Sequence, residues 1–181
     1  MANKHIIDRL LVARAQAGDR EAFDLLVRRW QPRILGFAIR LSGDRDAARD
    51  VAQETWVAAV KGLKRLDDPA LFRAWIFRIA KNKAADYVRG RQKTRKQAET
   101  MEQINAMEKE TRHPGPEEGL TLKALIDNLP QEKRALLILF YVEGLSLSEL
   151  AEVFAVPDGT IKSRLFTARE DLKIAYERKV K

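Results

Sequence analysis

The sequence predicts an all-α protein: two small helical domains joined by a flexible linker, the C-terminal one a helix-turn-helix. Two observations predict the helices: apolar residues recur at spacings of three and four almost throughout, and β-branched alternation is scarce. A third divides them. Residues 97–119 lose the apolar period and end in His113-Pro-Gly-Pro-Glu-Glu-Gly, which resists regular structure. The expected domains are therefore 1–96 and 120–181, with a linker at 97–119.

In chain order the helices are expected over about 6–17, 20–30, 33–41, 44–64, 70–95, 120–127, 131–142, 146–154 and 158–178. Gly18, Pro32, Gly43, Pro69, Pro130, Gly144 and Pro157 punctuate them. The last two helices carry the sharpest local signals. Ser146 and Glu149 have the spacing of a capping box, in which each side chain satisfies a backbone N–H that a helix start leaves unpaired. Pro157 suits the first position of the next helix because its missing N–H costs nothing there, and Asp158 favours the positive end of the helix dipole. Along that helix Ile161, Leu165, Ala168 and Leu172 fall on one apolar face. The opposite arc presents Lys162, Ser163, Phe166, Thr167 and Arg169, donors, hydroxyls and one aromatic suited to a DNA major groove.

Composition narrows the function. The chain has 181 residues, 45% apolar and 33% charged, an ordinary soluble balance. No apolar run approaches the roughly 20 residues that span a bilayer, and no signal-peptide core opens the chain, so a cytoplasmic protein without membrane insertion is expected. With no Cys and only two distant His, His5 and His113, neither a disulfide nor a clustered metal site is expected, nor is any cofactor.

The net charge of +8 is unevenly spread: residues 1–90 hold 18 basic and 11 acidic groups, residues 120–181 hold 10 and 9. Most of the excess lies between Ala70 and Lys96, where Arg73, Arg78, Lys81, Lys83, Arg89, Arg91, Lys93, Arg95 and Lys96 face only Asp86. Such density attracts phosphate through counterion release, so a second polyanion-facing surface is expected outside the helix-turn-helix. Aromatics interleave with these cations, and rings stack on unpaired bases while cations hold the backbone. Trp75, Ile76 and Ile79 are expected in the core, whereas Phe72, Phe77 and Tyr87 fit either core or contact. Asn82, Asp86 and Arg89, spaced four and three apart, form the preferred nucleic-acid stripe. Upstream, Asp46, Asp50, Gln53 and Glu54 share a polar face that is an ordinary surface, a docking face for a basic partner, or a carboxylate metal site.

Together, Asp50-Val-Ala-Gln-Glu-Thr-Trp, Phe72-Arg-Ala-Trp-Ile-Phe-Arg-Ile-Ala-Lys-Asn and Glu143-Gly-Leu-Ser…Pro157-Asp-Gly-Thr-Ile-Lys-Ser-Arg-Leu resemble the extracytoplasmic-function group of bacterial RNA polymerase sigma factors. The resemblance covers about 20–96 and 120–175. It implies a non-enzymatic specificity subunit that binds core RNA polymerase through the largest-subunit clamp helices and the flap, and directs initiation by reading −10 and −35 promoter elements. It places Asp50, Gln53 and Glu54 on the polymerase-docking segment, and Phe72, Arg73, Lys81, Asn82, Asp86 and Arg89 on the −10-reading helix, after a turn with Asp67 and Asp68 where relatives pocket a flipped base. Lys162, Ser163, Phe166 and Thr167 match the −35 recognition face, with Arg164 and Arg169 steadying phosphates. An anti-sigma factor is a further expected partner. The chain departs at Val51 and Ala52, where relatives usually carry larger apolar residues, which implies weaker docking. Two other classes fit the residues less well: a stand-alone helix-turn-helix regulator that works without polymerase, and a nucleic-acid enzyme holding a divalent ion at Asp46, Asp50 and Glu54.

Overall fold

Helix starts are written plainly in the first half of the chain. In a computed structural model, residues 2–102 and 122–180 are described, with side chains for 6–91 and for 122–178 except Lys123. Helix α1 (Ala2–Gln16) leads through Gly18, at φ 97°, into α2 (Arg20–Ser42). Asp19 caps α2 by accepting the Ala22 N–H at 3.0 Å, and its carboxylate also meets Arg14 at 2.6 Å. Pro32, expected to separate two helices, lies inside α2 instead. The continuous apolar face of Ala22, Leu26, Trp30, Ile34, Phe37, Ala38 and Leu41 is buried on both sides of the proline, and that burial outweighs one missing hydrogen bond.

Gly43, at φ 70°, closes α2 by donating its N–H to the Ile39 carbonyl. Asp44 then caps α3 (Arg45–Gly62) through the Asp46 N–H at 2.9 Å. Two 3-10 turns, Leu63–Arg65 and Pro69–Leu71, lead to α4 (Phe72–Glu102). Helix α4 passes the expected boundary at residue 96, and the rest of the expected linker, 103–119, lies outside the described residues. Trp30 organises the core of this domain, with the Phe72 and Phe77 rings edge-on at 5.6 and 6.0 Å and Phe37 on Phe77 at 5.4 Å. Edge-to-face pairs of this kind add about 0.5–1.5 kcal/mol each beyond area burial.

The second domain comprises α5 (Leu122–Asp127), α6 (Gln131–Leu137), α7 (Leu147–Phe154) and α8 (Asp158–Val180). The helix expected over 131–142 changes character at Ile138, where a π-helical turn runs to Val142. Its wider ring is closed by the Glu143 N–H on the Ile138 carbonyl at 3.0 Å. Ile138 and Leu139 stay buried while Tyr141 and Val142 point out. Both halves of the Ser146–Glu149 capping box form at the start of α7. Pro157 sits one residue before α8, not within it, and its carbonyl accepts from Thr160 and Ile161 at 2.9 and 3.2 Å. Between α7 and α8 the chain turns at Ala155, whose φ of 52° is left-handed.

No strand occurs among the described residues, as the expected all-α class requires. None of the described helices is long and apolar enough to cross a membrane. The two domains pack on each other, and their buried side chains form one connected cluster.

Candidate polymerase and nucleic-acid interfaces

Outward faces on α3, α4 and α8 carry most of the expected binding residues; Phe72, Arg73 and Lys81 lie elsewhere. On α3, Ala47, Ala48, Val51, Ala52, Thr55 and Ala59 turn inward, so Asp46, Asp50, Gln53 and Glu54 are left on the exposed side. Asp46 pairs with Arg49 at 3.0 Å, and Glu54 reaches Lys83 of α4 at 3.1 Å. No group of three or more His, Asp or Glu side chains is gathered closely enough to hold a metal among the described residues. Val57 and Val60 continue the acidic strip, the latter 61% exposed. Sequence reading missed this apolar edge, although two valines on the solvent side of an amphipathic helix were a visible signal.

Helix α4 divides the expected −10 residues into separate groups. Phe72 is only 1% exposed, packed under Trp30 and Trp75, so its ring is core and is withdrawn from the contact surface. Phe77 is buried too, and Tyr87 is partly so. Asn82, Asp86 and Arg89 do share one exposed stripe, with Arg89 paired to Asp86 one turn away. Before α4, the loop carrying Asp67 and Asp68 is held in shape from below: the Gln16 amide donates to the Leu63 and Leu66 carbonyls at 2.9 and 2.7 Å. Asp68 caps the second 3-10 turn through the Ala70 N–H at 2.8 Å, while Asp67 stays exposed. Gln16, a lone amide at a helix end, gave no sign of this role in sequence.

Arg73 and Lys81 are turned toward the second domain. Arg73 meets the Glu149 carboxylate at 3.3 and 3.4 Å and also donates to the Glu143 carbonyl. Burial pushes its guanidinium down from the usual arginine range, against the opposing pull of Glu149. The Lys81 ammonium lies 4.7 Å from the centre of the Phe154 ring. Burial lowers it as well, helped by Arg164 and Arg78 and opposed by Glu132.

The recognition face expected on α8 is present as a surface. Ile161, Leu165 and Ala168 are fully buried, and Lys162, Ser163, Arg164, Phe166, Thr167 and Arg169 all point outward, Phe166 at 64% exposure. Their hydrogen bonds are local: Ser163 donates to the Thr160 carbonyl at 3.0 Å, Thr167 to Ser163 at 3.1 Å, and the Arg169 Nε to Leu165 at 3.1 Å. A cavity of about 250 Å³ opens beside this face, lined by Ser163, Arg164, Thr167, Phe154, Leu136, Glu132 and Lys133.

Comparison with known proteins identifies the family of the chain. The Sigma-70 region 2 family matches residues 26–94, and the Sigma-70 region 4 family matches 120–172. An RNA polymerase sigma-H factor of Pseudomonas aeruginosa is 37% identical over 94% of both chains. An ECF RNA polymerase sigma-E factor of Haemophilus influenzae is 33% identical, covering 92% of this chain and 94% of its own. Among solved structures, CnrH in complex with the cytosolic domain of CnrY superposes with a TM-score of 0.71 at 27% identity, over 95% of this chain and 98% of that one. The RpoE sigma factor bound to the anti-sigma factor NepR from Bartonella quintana gives 0.64 at 26% identity, over 86% and 96%. The chain belongs to the sigma-70 family of RNA polymerase sigma factors, in its extracytoplasmic-function group.

Proposed function

We propose that this chain acts as the promoter-selecting subunit of RNA polymerase, with its binding tasks divided among the three faces. The exposed side of α3, with Asp50, Gln53 and Glu54 beside Val57 and Val60, meets a basic, partly apolar surface on the polymerase clamp helices. Asn82, Asp86 and Arg89 of α4 meet the melted −10 strand, and the Asp67–Asp68 loop receives an extruded base. Lys162, Ser163, Phe166 and Thr167 read the −35 duplex from the major groove, and Arg164 and Arg169 hold phosphates on either side. The second domain also engages the polymerase flap, and an anti-sigma factor is the regulatory partner. No step asks this chain to make or break a covalent bond, and its place of work is the cytoplasm with the polymerase.

One observation carries the reading: α8 buries Ile161, Leu165 and Ala168 completely and leaves an unbroken outward arc from Lys162 to Arg169. Helix-turn-helix readers need that division, because the buried face fixes how the exposed face enters the groove. In vitro transcription with core polymerase and fragmented genomic DNA, mapping RNA 5′ ends, tests it. New start sites sharing two upstream elements are expected only when the protein is added. No new starts, with tight duplex binding by the protein alone, would indicate a stand-alone regulator. Separately, Gln53→Ala with Glu54→Ala is expected to weaken polymerase affinity, and unchanged affinity would remove α3 from the docking site.

A further inference from the structure

One side chain at the end of α1 sets the shape of a loop far along the chain. The Gln16 amide nitrogen donates to the Leu63 carbonyl at 2.9 Å and to the Leu66 carbonyl at 2.7 Å, across 47 and 50 residues of sequence. An amide NH2 has two hydrogens, so one nitrogen serves both acceptors, and only that end of the group can face two carbonyls. Leu66 is also tied through its own N–H, which donates to the Leu63 carbonyl at 3.1 Å, and its side chain is buried. The donor stands on a fixed helix. Asp8 of α1 accepts from the Arg29 Nε at 2.6 Å and from the Trp30 indole at 3.2 Å, and Val12 is fully buried beside them in sequence.

What Gln16 holds is the peptide group that leads into the Asp67–Asp68 loop. The Leu66 carbonyl and the Asp67 N–H belong to one planar trans unit, in which the two point in opposite directions. Anchoring the carbonyl toward α1 therefore aims the Asp67 N–H away from it. On the far side, Asp68 caps the next 3-10 turn through the Ala70 N–H at 2.8 Å, and its carbonyl accepts from Leu71 at 3.0 Å. Asp67 lies between these two holds, exposed, with no hydrogen bond or ion pair to the other described residues. Its N–H and its carboxylate are left as a donor and an acceptor close together, a pair that suits the edge of an extruded base.

We propose that Gln16 is a positioning residue for base selection: by fixing the Leu66–Asp67 peptide it presents the Asp67 N–H and carboxylate to the base that the loop receives. The inference rests on the reading above, that this loop takes an extruded base, and deepens it by naming the side chain that sets the loop's selectivity. Gln16 lies outside the residues matched by the Sigma-70 region 2 family, which begin at 26. A helix beyond that match thus reaches the −10 reader. The Leu66 carbonyl has no other partner among the described residues. Without the donor this peptide turns toward water for its hydrogen bond, and the Asp67 N–H turns with it.

The test uses barcoded templates carrying one promoter from the mapped starts, with each −10 and −35 position varied singly through the four bases, transcribed by core polymerase with the full chain. Gln16→Met keeps the length of the side chain and removes the donor. It is expected to reduce base preference at one −10 position roughly fivefold, the scale of one hydrogen bond's net contribution, and to leave preferences at the other −10 positions and across the −35 element unchanged. Gln16→Asn, one methylene too short to reach both carbonyls, is expected to reduce preference at the same position, and it secures the test if the Met variant folds poorly. On a template with an abasic site at that position, the parent and both variants are expected to give equal yields, because a misaimed donor costs nothing where no base is read. A loss spread over all positions, or unequal yields on the abasic template, shows a structural role only and overturns the inference. Unchanged preferences in both variants overturn it as well. If the parent itself gives no core-dependent starts, the functional reading falls, and the inference with it.

Discussion

Single residues set several of the joints. Asp19 begins α2, and its carboxyl is held below its ordinary value of 3.8 chiefly by the Ala22 N–H and then by Arg14. A carboxyl lowered by folding stabilises the native state above its unfolded value, and the gain is lost as pH falls through the lowered one. Asp19→Ala is therefore expected to reduce the melting temperature at neutral pH, while Asp19→Asn keeps the acceptor and loses less. Melts of the three proteins from pH 6 downward should converge in acid; parallel curves would refute the capping role. Ala155 supplies another test, since its left-handed backbone strains a side chain. Ala155→Gly is expected to stabilise the second domain by up to about 1 kcal/mol, less any loss from added freedom in the unfolded chain, read from denaturant midpoints. The capping box of Ser146 and Glu149 was legible as sequence because its partners are three residues apart. Phe72 was not, since an aromatic beside arginines has the same local pattern whether it meets a base or Trp30.

At the scale of elements, periodicity located nearly every helix, and the differences have local physical causes. Pro32 has the local signature of a break, but a proline removes one hydrogen bond whereas the buried face of α2 runs from Ala22 to Leu41. The π-turn over Ile138–Val142 has no composition of its own, being a change of ring size within an apolar run. For α8 the inward and outward faces were both readable, because one-sided burial is what a helical period encodes. Its outward residues now permit a sharper expectation. Lys162→Ala and Thr167→Ala should weaken −35 duplex binding, each good base contact being worth about 1–3 kcal/mol of discrimination, and should spare single-strand binding by the first domain. Fluorescence anisotropy on the two DNA forms checks this, and equal losses on both would argue against two separate readers.

The charge distribution of the whole molecule leads one to expect two polyanion-facing regions, yet it could not reveal that Arg73 and Lys81 turn toward the second domain. The partners in each contact, Arg33 with Glu143, Arg73 with Glu149 and Arg134 with Leu41, are far apart in sequence, and no periodic signal links them. Chain-wide assembly is therefore the part of the structure that local patterns express least. It has a thermodynamic signature, because domains sharing one buried cluster should lose structure together. Calorimetry of the parent protein is expected to give a single unfolding transition, and Arg33→Glu is expected to split or broaden it. Two well-separated transitions in the parent would show that the domains are energetically independent.

The hydroxyl protons of Ser163 and Thr167 are already given to carbonyls of their own helix. Facing a groove, these side chains offer lone pairs only. If this face reads DNA as proposed, the two hydroxyls complement the exocyclic amino groups of cytosine and adenine, and donation to the keto oxygens of guanine and thymine falls to Lys162. On the proposed reading, these two positions enter the groove with their polarity already set by bonds within the helix.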